Sequence, residues 1–240
     1  DNQIDGIYKE FELDGDLSLV MEYEEGRIVE EDEEEILAEQ IEIRREFDDD
    51  GNVIFQGSYK EDIPVGIHRF FNAEGEVVNA FVYNDLGVKI SEGIIDEQGN
   101  RSGEWKDLYP DGKVRAKGVY RNNQKSGTWT HYYPNGQVEQ VGNYLRGLPD
   151  GLWTWYYADG SLLREESYFN GREDGRMVEY NELGEVITEG EFINGEKEGE
   201  WIYNVGDHIE KGAYQTGLRT GEWQYFYLDG TLHFEGEYLQ

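Results

Sequence analysis

The stretch SGTWTHYYPNGQVEQVGNYLRG, Ser126 to Gly147, holds one Trp, three Tyr and four Gly. It can be read as an aromatic platform for a ligand or as the way this chain builds a sheet, and spacing decides between the two. Gly103, Gly127, Gly151, Gly175 and Gly199 succeed one another at intervals of 24 residues, and Gly221 comes 22 later. A fixed period of this size marks a repeat architecture. The unit is G-x-W-x-x-Y-Y-x-x-G-x-V, then a Gly-x-aromatic pair, then N-G or a similar turn. GEWKDLYPDGKV, GTWTHYYPNGQV, GLWTWYYADGSL and GEWQYFYLDGTL show it best.

A second series of glycines, from Gly15 through Gly51, Gly75, Gly112, Gly136, Gly160, Gly184 and Gly206 to Gly230, extends the array to the whole chain. Two of its gaps exceed a unit by 12 and 13 residues. The surplus lies in 29–40, an acidic insertion read as a short helix or a loop, and in 88–101, read as an added strand near 88–95. The expected organisation is one continuous array over 1–240. It comprises a degenerate repeat at 1–28, the insertion at 29–40, degenerate repeats at 41–102 and regular repeats at 103–240.

Each unit predicts two strands. P-D-G at 110–112, P-N-G at 134–136, A-D-G at 158–160 and L-D-G at 228–230 are turns whose Gly takes positive φ, as hairpins closing on a bulge require. N-G at 170–171 and 194–195 supplies the other turn. Outside the acidic insertion no segment sustains a 3.6-residue period. Residues two apart on a strand share a face. The pairs Gly57/Tyr59, Gly118/Tyr120, Gly142/Tyr144, Gly190/Phe192, Gly212/Tyr214 and Gly236/Tyr238 therefore leave room on that face for a ring from a neighbouring strand. The aromatic slot three residues after the Trp slot (Phe11, Phe47, Phe71, Tyr132, Tyr156, Tyr180 and Phe226, with Leu108 once) is expected to form the packed face.

Composition narrows the function classes. There are 21 Lys and Arg against 53 Asp and Glu, a net charge of −32. Such a chain repels phosphate backbones and anionic lipid surfaces, so nucleic acid is not an expected partner. Aromatics make up 14% of the residues, which sets the chain apart from acidic disordered polymers. There is no Cys, which excludes disulfides, thiolate catalysis and Cys-ligated metals. No apolar run reaches the length of a membrane-spanning helix.

The quoted units resemble MORN-type repeats, in the bacterial variant found in YwqK-like antitoxin family proteins. The resemblance is strongest at 103–240 and weakens at 1–102, where Tyr8, Arg44 and His68 stand in the Trp slot. It implies an all-β fold, an elongated single twisted antiparallel sheet made as a meander of β-hairpins of about 24 residues. Two strands per unit, at about 4.8 Å each, give about 80 Å for the regular units. It also implies a protein-binding or scaffolding role, antitoxin-like binding of a basic partner being one form of it.

Catalytic and metal chemistry find little support. His68, His131, His208 and His233 occupy no matching slots, so no second ligand or orienting group stands at a fixed offset from any of them. The acidic turns at 48–51, 96–100 and 32–35 are read as solvated turns, with weak divalent binding as the alternative. No G-x-S-x-G, phosphate-cradling loop or H-E-x-x-H is present. The expectation is a non-enzyme without cofactor, catalytic residue or metal site.

The Trp slot remains: Trp105, Trp129, Trp153, Trp201 and Trp223, with Trp155 as an extra. If the opposite face is covered, these rings form an exposed strip suited to a partner protein; if neighbouring rings cover both faces, they are core. The first reading expects Trp129→Ala to weaken partner binding and leave the fold intact. The charge favours a basic protein partner, and acidic residues near both ends (Asp1, Asp5, Glu235 and Glu237) favour a monomer. An exported cell-envelope protein that binds glycan or another surface polymer through the strip is the alternative. Asp1 in place of Met leads to the expectation of an exported or envelope location, lipid-anchored through a removed leader as one form, with the cytoplasm as the alternative.

Overall fold

The computed structural model describes residues 6–11, 17–24, 27–29 and 41–239, the first three stretches as backbone strands alone. The chain divides into two compact units, 1–112 and 113–240. In the first, β1 (Gly6–Phe11), β2 (Leu17–Glu24) and β3 (Arg27–Val29) form a three-stranded antiparallel sheet. After them come β4 (Glu42–Phe47), β5 (Val53–Lys60), β6 (Ile63–Phe71), β7 (Val77–Tyr83), β8 (Lys89–Ile95) and β9 (Arg101–Leu108). The second unit begins with β10 (Val114–Arg121), β11 (Gln124–Tyr132), β12 (Val138–Leu145), β13 (Leu148–Tyr156), β14 (Leu162–Phe169) and β15 (Arg172–Tyr180). It ends with β16 (Val186–Ile193), β17 (Glu196–Asn204), β18 (His208–Gln215), β19 (Leu218–Tyr227) and β20 (Leu232–Tyr238).

From β4 to β9, and again from β10 to β20, each strand pairs antiparallel with the next. The all-β hairpin meander expected from the repeat is thus present in each unit, with no helix among the described residues. The second surplus stretch contains β8. The acidic insertion falls, from residue 30 to 40, outside the described residues, as does Gly15.

Two turn types alternate in the second unit. At the P-N-G turn, Gly136 N–H donates to Tyr133 O at 2.8 Å and Tyr133 N–H to Gln137 O at 2.8 Å. Gly136 sits at φ 89°, the left-handed residue that closes a type I turn on a bulge. At the short turns both central residues have positive φ, as in Asn170 (50°) and Gly171 (84°), the requirement of a type I′ hairpin. This is why N-G recurs there.

The turns also join one repeat to the next. The short-turn glycine donates its N–H to a carbonyl about one repeat back: Gly147 to Lys125, Gly171 to Pro149, Gly195 to Glu173 and Gly217 to Lys197, all at 2.8–3.0 Å. At the opposite end, Tyr133 and Tyr157 donate their hydroxyls to the carbonyls of Tyr156 and Tyr180, both at 2.8 Å. The repeated Y-Y pair therefore splits its work. The second Tyr holds the backbone of the next repeat, and the first is left to present its ring.

The remaining glycine of each unit makes a bulge. Pairing of β12 with β13 runs through Val141↔Thr154 and Asn143↔Asp150, so Gly142 alone faces the three residues Gly151 to Trp153. Gly151 turns at φ 75° and the indole of Trp153 swings across Gly142. The same arrangement places Trp129 on Gly118, Trp201 on Gly190 and Trp223 on Gly212. The core of the second unit lies on this face.

Candidate functional site

The Trp slot is interior. Trp105, Trp129, Trp201 and Trp223 are at most 1% exposed and Trp153 is 4% exposed. Each ring lies across a glycine of the preceding strand, and an aromatic side chain two residues after that glycine meets four of them edge-on: Tyr120 and Trp129 at 5.2 Å, Tyr144 and Trp153 at 5.1 Å, Phe192 and Trp201 at 5.1 Å, Tyr214 and Trp223 at 5.3 Å. The indole N–H of Trp129, Trp153 and Trp223 donates to the carbonyl of the residue after the covered glycine (Val119, Asn143 and Ala213) at 3.1–3.2 Å. A cation four residues upstream closes the top: Arg101 over Trp105, Lys125 over Trp129 at 4.2 Å, Lys197 over Trp201 at 4.3 Å and Arg219 over Trp223 at 3.8 Å. Such a contact is worth about 0.5–2 kcal/mol. The exposed indole strip, which the glycan alternative also requires, does not occur among the described residues; these five Trp have almost no free surface to offer a partner directly.

The two aromatic slots thus exchange the roles expected from the sequence. Tyr132, Tyr156, Tyr180 and Phe226, expected to be the packed set, are half-buried on the opposite face, and Phe47 is 57% exposed. Only Leu108 of that slot is buried, and the Phe11 side chain lies outside the described residues. In register, Tyr132 pairs with Val138, Tyr156 with Leu162, and Tyr180 with Val186. These six side chains form an apolar band across consecutive strands of the outward face. A groove of about 340 Å3 opens in it among Thr130, Gln137, Val138, Val141, Tyr156 and Gly160.

Carboxylates border the band. Tyr180 donates its hydroxyl to Glu165 at 3.4 Å. Burial, and after it the negative charge of Glu165, holds the Tyr180 phenol above its ordinary range. Tyr133 and Tyr157 are raised in the same way, first by burial and then by Glu139 and Glu182 respectively. Cations stand on the same face: Lys117 lies over the Tyr132 ring at 5.4 Å and Arg176 pairs with Glu189 at 2.7 Å.

One repeat departs from the pattern in two places at once. Glu166 stands where the covered glycine belongs, and Met177 stands in the Trp slot beside it, directly paired. Glu166 is 1% exposed and accepts from Arg164 Nη2 at 2.6 Å and from the Tyr168 hydroxyl at 2.7 Å. The side chain that replaces Gly and the smaller one that replaces Trp fill one space. Nothing in the spacing along either strand singled out this pair.

The histidines do not converge. His68 takes the Trp slot over Gly57, 3% exposed, donates from Nε2 to the Ser58 carbonyl at 2.8 Å, and packs on Tyr59 and Tyr83 at 4.9 and 4.6 Å. His131 lies beside Gln140, His208 beside Asp207, and His233 on the Tyr227 ring. In the acidic turns, Asp48 accepts from the backbone and side chain of Asn52, and Asp96 does the same with Asn100. These bonds hold both carboxyls below their usual range. The turn at 32–35 lies outside the described residues. Among the described residues no three His, Asp or Glu are grouped to hold a metal ion.

Residues 101–122, 125–145, 149–170 and 219–240 match the family model described as MORN repeat variant. The chain therefore carries four segments of this repeat class. The unmatched stretch between them contains the Glu166-facing Met177 and the shortened turn at Gly206, yet its strands continue the same hairpin pattern. No curated protein matches the chain. Among solved structures, a TcdB2-TccC3-Cdc42 crystal structure shares 11% identity over 96% of this chain and 14% of that chain, with a TM-score of 0.23. BamB from Moraxella catarrhalis shares 13% over 91% of this chain and 82% of that chain, with a TM-score of 0.20. A Photorhabdus luminescens Tc holotoxin pore shares 13% over 96% and 14%, with a TM-score of 0.21. The chain spans about one seventh of the first and third, and likeness at this level supports no functional transfer.

Proposed function

We propose that the second unit is a non-enzymatic protein-interaction scaffold that holds a basic partner against its outward apolar band. The observation that carries this reading is the row Tyr132, Tyr156 and Tyr180, half-exposed on consecutive hairpins with Glu165 beside Tyr180, while the five slot Trp of the other face are buried. Aromatic rings with a polar tip give large contact area at low conformational cost, and the acidic border speeds and selects a cationic partner. Antitoxin-like capture of a small basic protein is the form of this reading that the sequence resemblance suggests.

Site-specific photo-crosslinking tests it. A crosslinker at Val138 or Leu162, on the band, is expected to trap a basic protein in a salt-sensitive manner. A crosslinker at Gln140, on the Trp face, is expected to trap none. Capture from Gln140 alone, or of an acidic partner with no salt dependence, contradicts the reading.

A further inference from the structure

Trp155 lies outside the repeat pattern, and it is the most exposed of the six Trp: the five in the slot are at most 4% exposed, whereas Trp155 is half-buried. It stands two residues after Trp153 on β13, and the two rings lie 5.9 Å apart and within 33° of parallel. Tyr168, on β14, completes the group at 6.1 Å from Trp153 and 6.5 Å from Trp155. Three oxidisable rings are thus in near contact, one of them open to solvent. One-electron transfer falls off steeply with separation, and rings this close exchange an electron readily.

The same place holds the buried carboxylate that replaces the covered glycine. Tyr168 donates its hydroxyl to Glu166 Oε2 at 2.7 Å, and Arg164 Nη2 donates to Glu166 Oε1 at 2.6 Å. A phenol that loses an electron becomes a strong acid, so a carboxylate at hydrogen-bond distance lets proton and electron leave together. Burial, and after it the bond to Glu166, holds the Tyr168 phenol well above its ordinary range, so it keeps its proton until it is oxidised. Once Glu166 has taken that proton, the positive charge left over is that of Arg164. Its side chain is 35% exposed, against 1% for Glu166, and a cation that reaches water costs less than one sealed in the interior. Tyr214 holds the equivalent position beside Trp201, paired with Gly199 as Tyr168 is with Gly151. It accepts from Tyr203 at 3.3 Å, and Lys197 donates to Tyr203 at 2.7 Å. Lys197 puts a cation there, where Glu166 puts a base.

We propose that Trp155, Trp153 and Tyr168 form a one-electron relay that carries oxidising equivalents from a small diffusing radical to the Tyr168–Glu166 pair. The radical takes one electron from Trp155 and leaves as its anion. An electron from Tyr168, directly or through Trp153, refills the indole. An indole that has released its N–H proton to water takes one back as the electron arrives. The phenol O–H breaks, its proton passes to Glu166, and the product is a neutral tyrosyl radical beside a carboxylic acid. One electron from a reductant of the ascorbate class, with the proton returned by Glu166, restores the phenol. The relay lies on the Trp face and is independent of the outward band.

Pulse radiolysis of the full chain with the azide radical tests it, the indolyl and tyrosyl radical absorptions being followed together. The indolyl signal is expected to decay as the tyrosyl signal rises, at a rate independent of protein concentration. Trp155→Phe is expected to remove most of the prompt indolyl signal. Tyr168→Phe keeps a ring of the same shape and is expected to slow the conversion about tenfold or more. Glu166→Gln keeps the size of the side chain but takes up no proton, and it is expected to slow the conversion by about tenfold or more as well. A conversion unchanged by Tyr168→Phe or by Glu166→Gln overturns the proposal. So does a prompt indolyl signal that is absent or unchanged by Trp155→Phe, or a rate proportional to protein concentration.

Discussion

Trp153 lies so close across Gly142 that a Cβ on the glycine would stand 2.1 Å from indole Cδ2. The contact joins β12 to β13 and recurs at Gly118, Gly190 and Gly212. Gly142→Ala is therefore an overpacking change that neither backbone nor indole can relieve without breaking the bulge at Gly151. The expected cost is about 3 kcal/mol. Gly236→Ala, where the space is open, is expected to stay within about 0.5 kcal/mol. Urea denaturation of the two variants checks the contrast.

Trp129 is fully buried, with its N–H bonded and its face covered by Lys125. Trp129→Ala is expected to cost about 3–5 kcal/mol of stability, the range for emptying such a site. This reverses the expectation that the change would leave the fold intact. A denaturation midpoint unmoved by the substitution would show that the ring is not core.

Glu166 and Met177 fill one space, so their replacements should be coupled. Met177→Trp alone drives an indole into a buried carboxylate; Glu166→Gly alone leaves Arg164 without its partner and a gap beside Met177. The double substitution rebuilds the Gly–Trp contact of the other repeats. A double-mutant cycle is expected to show a favourable coupling of at least about 1 kcal/mol. Additive costs would mean that the two positions do not share the space.

Burial holds the His68 pKa below its ordinary value. A base with a depressed folded-state pKa binds its proton more readily when unfolded, so stability falls as pH drops below about 6.5 and levels off below the folded value. His68→Trp, which restores the common residue over Gly57, is expected to remove that part of the acid sensitivity. The check is the denaturation midpoint of both proteins tracked from about pH 7.5 to about pH 5, across the ordinary histidine range; equal slopes would contradict the assignment.

The repeat period, the two turn types and the strand pairing were legible in the sequence because glycine at fixed spacing reports backbone geometry directly. Gly136 and Gly171 were read from their local turn chemistry, and both adopt it. Which aromatic slot is core was harder. Trp129 and Tyr132 belong to opposite faces in either reading, and parity along one strand does not say which face is closed. The deciding signal was present but non-local: the vacancy that admits an indole is a glycine such as Gly118 or Gly142 on the preceding strand, and register assigns the ring to it. The Glu166–Met177 exchange was missed for the same reason, since it is a relation across the sheet and leaves no mark on either strand alone.

That the indoles form the frame and the tyrosine band the accessible surface is tested most directly by hydroxyl-radical footprinting of the native chain. Little oxidation is expected at Trp105, Trp129, Trp153, Trp201 and Trp223, and clear oxidation at Tyr132, Tyr156 and Tyr180. Rapid oxidation of those tryptophans with the three tyrosines protected would contradict it.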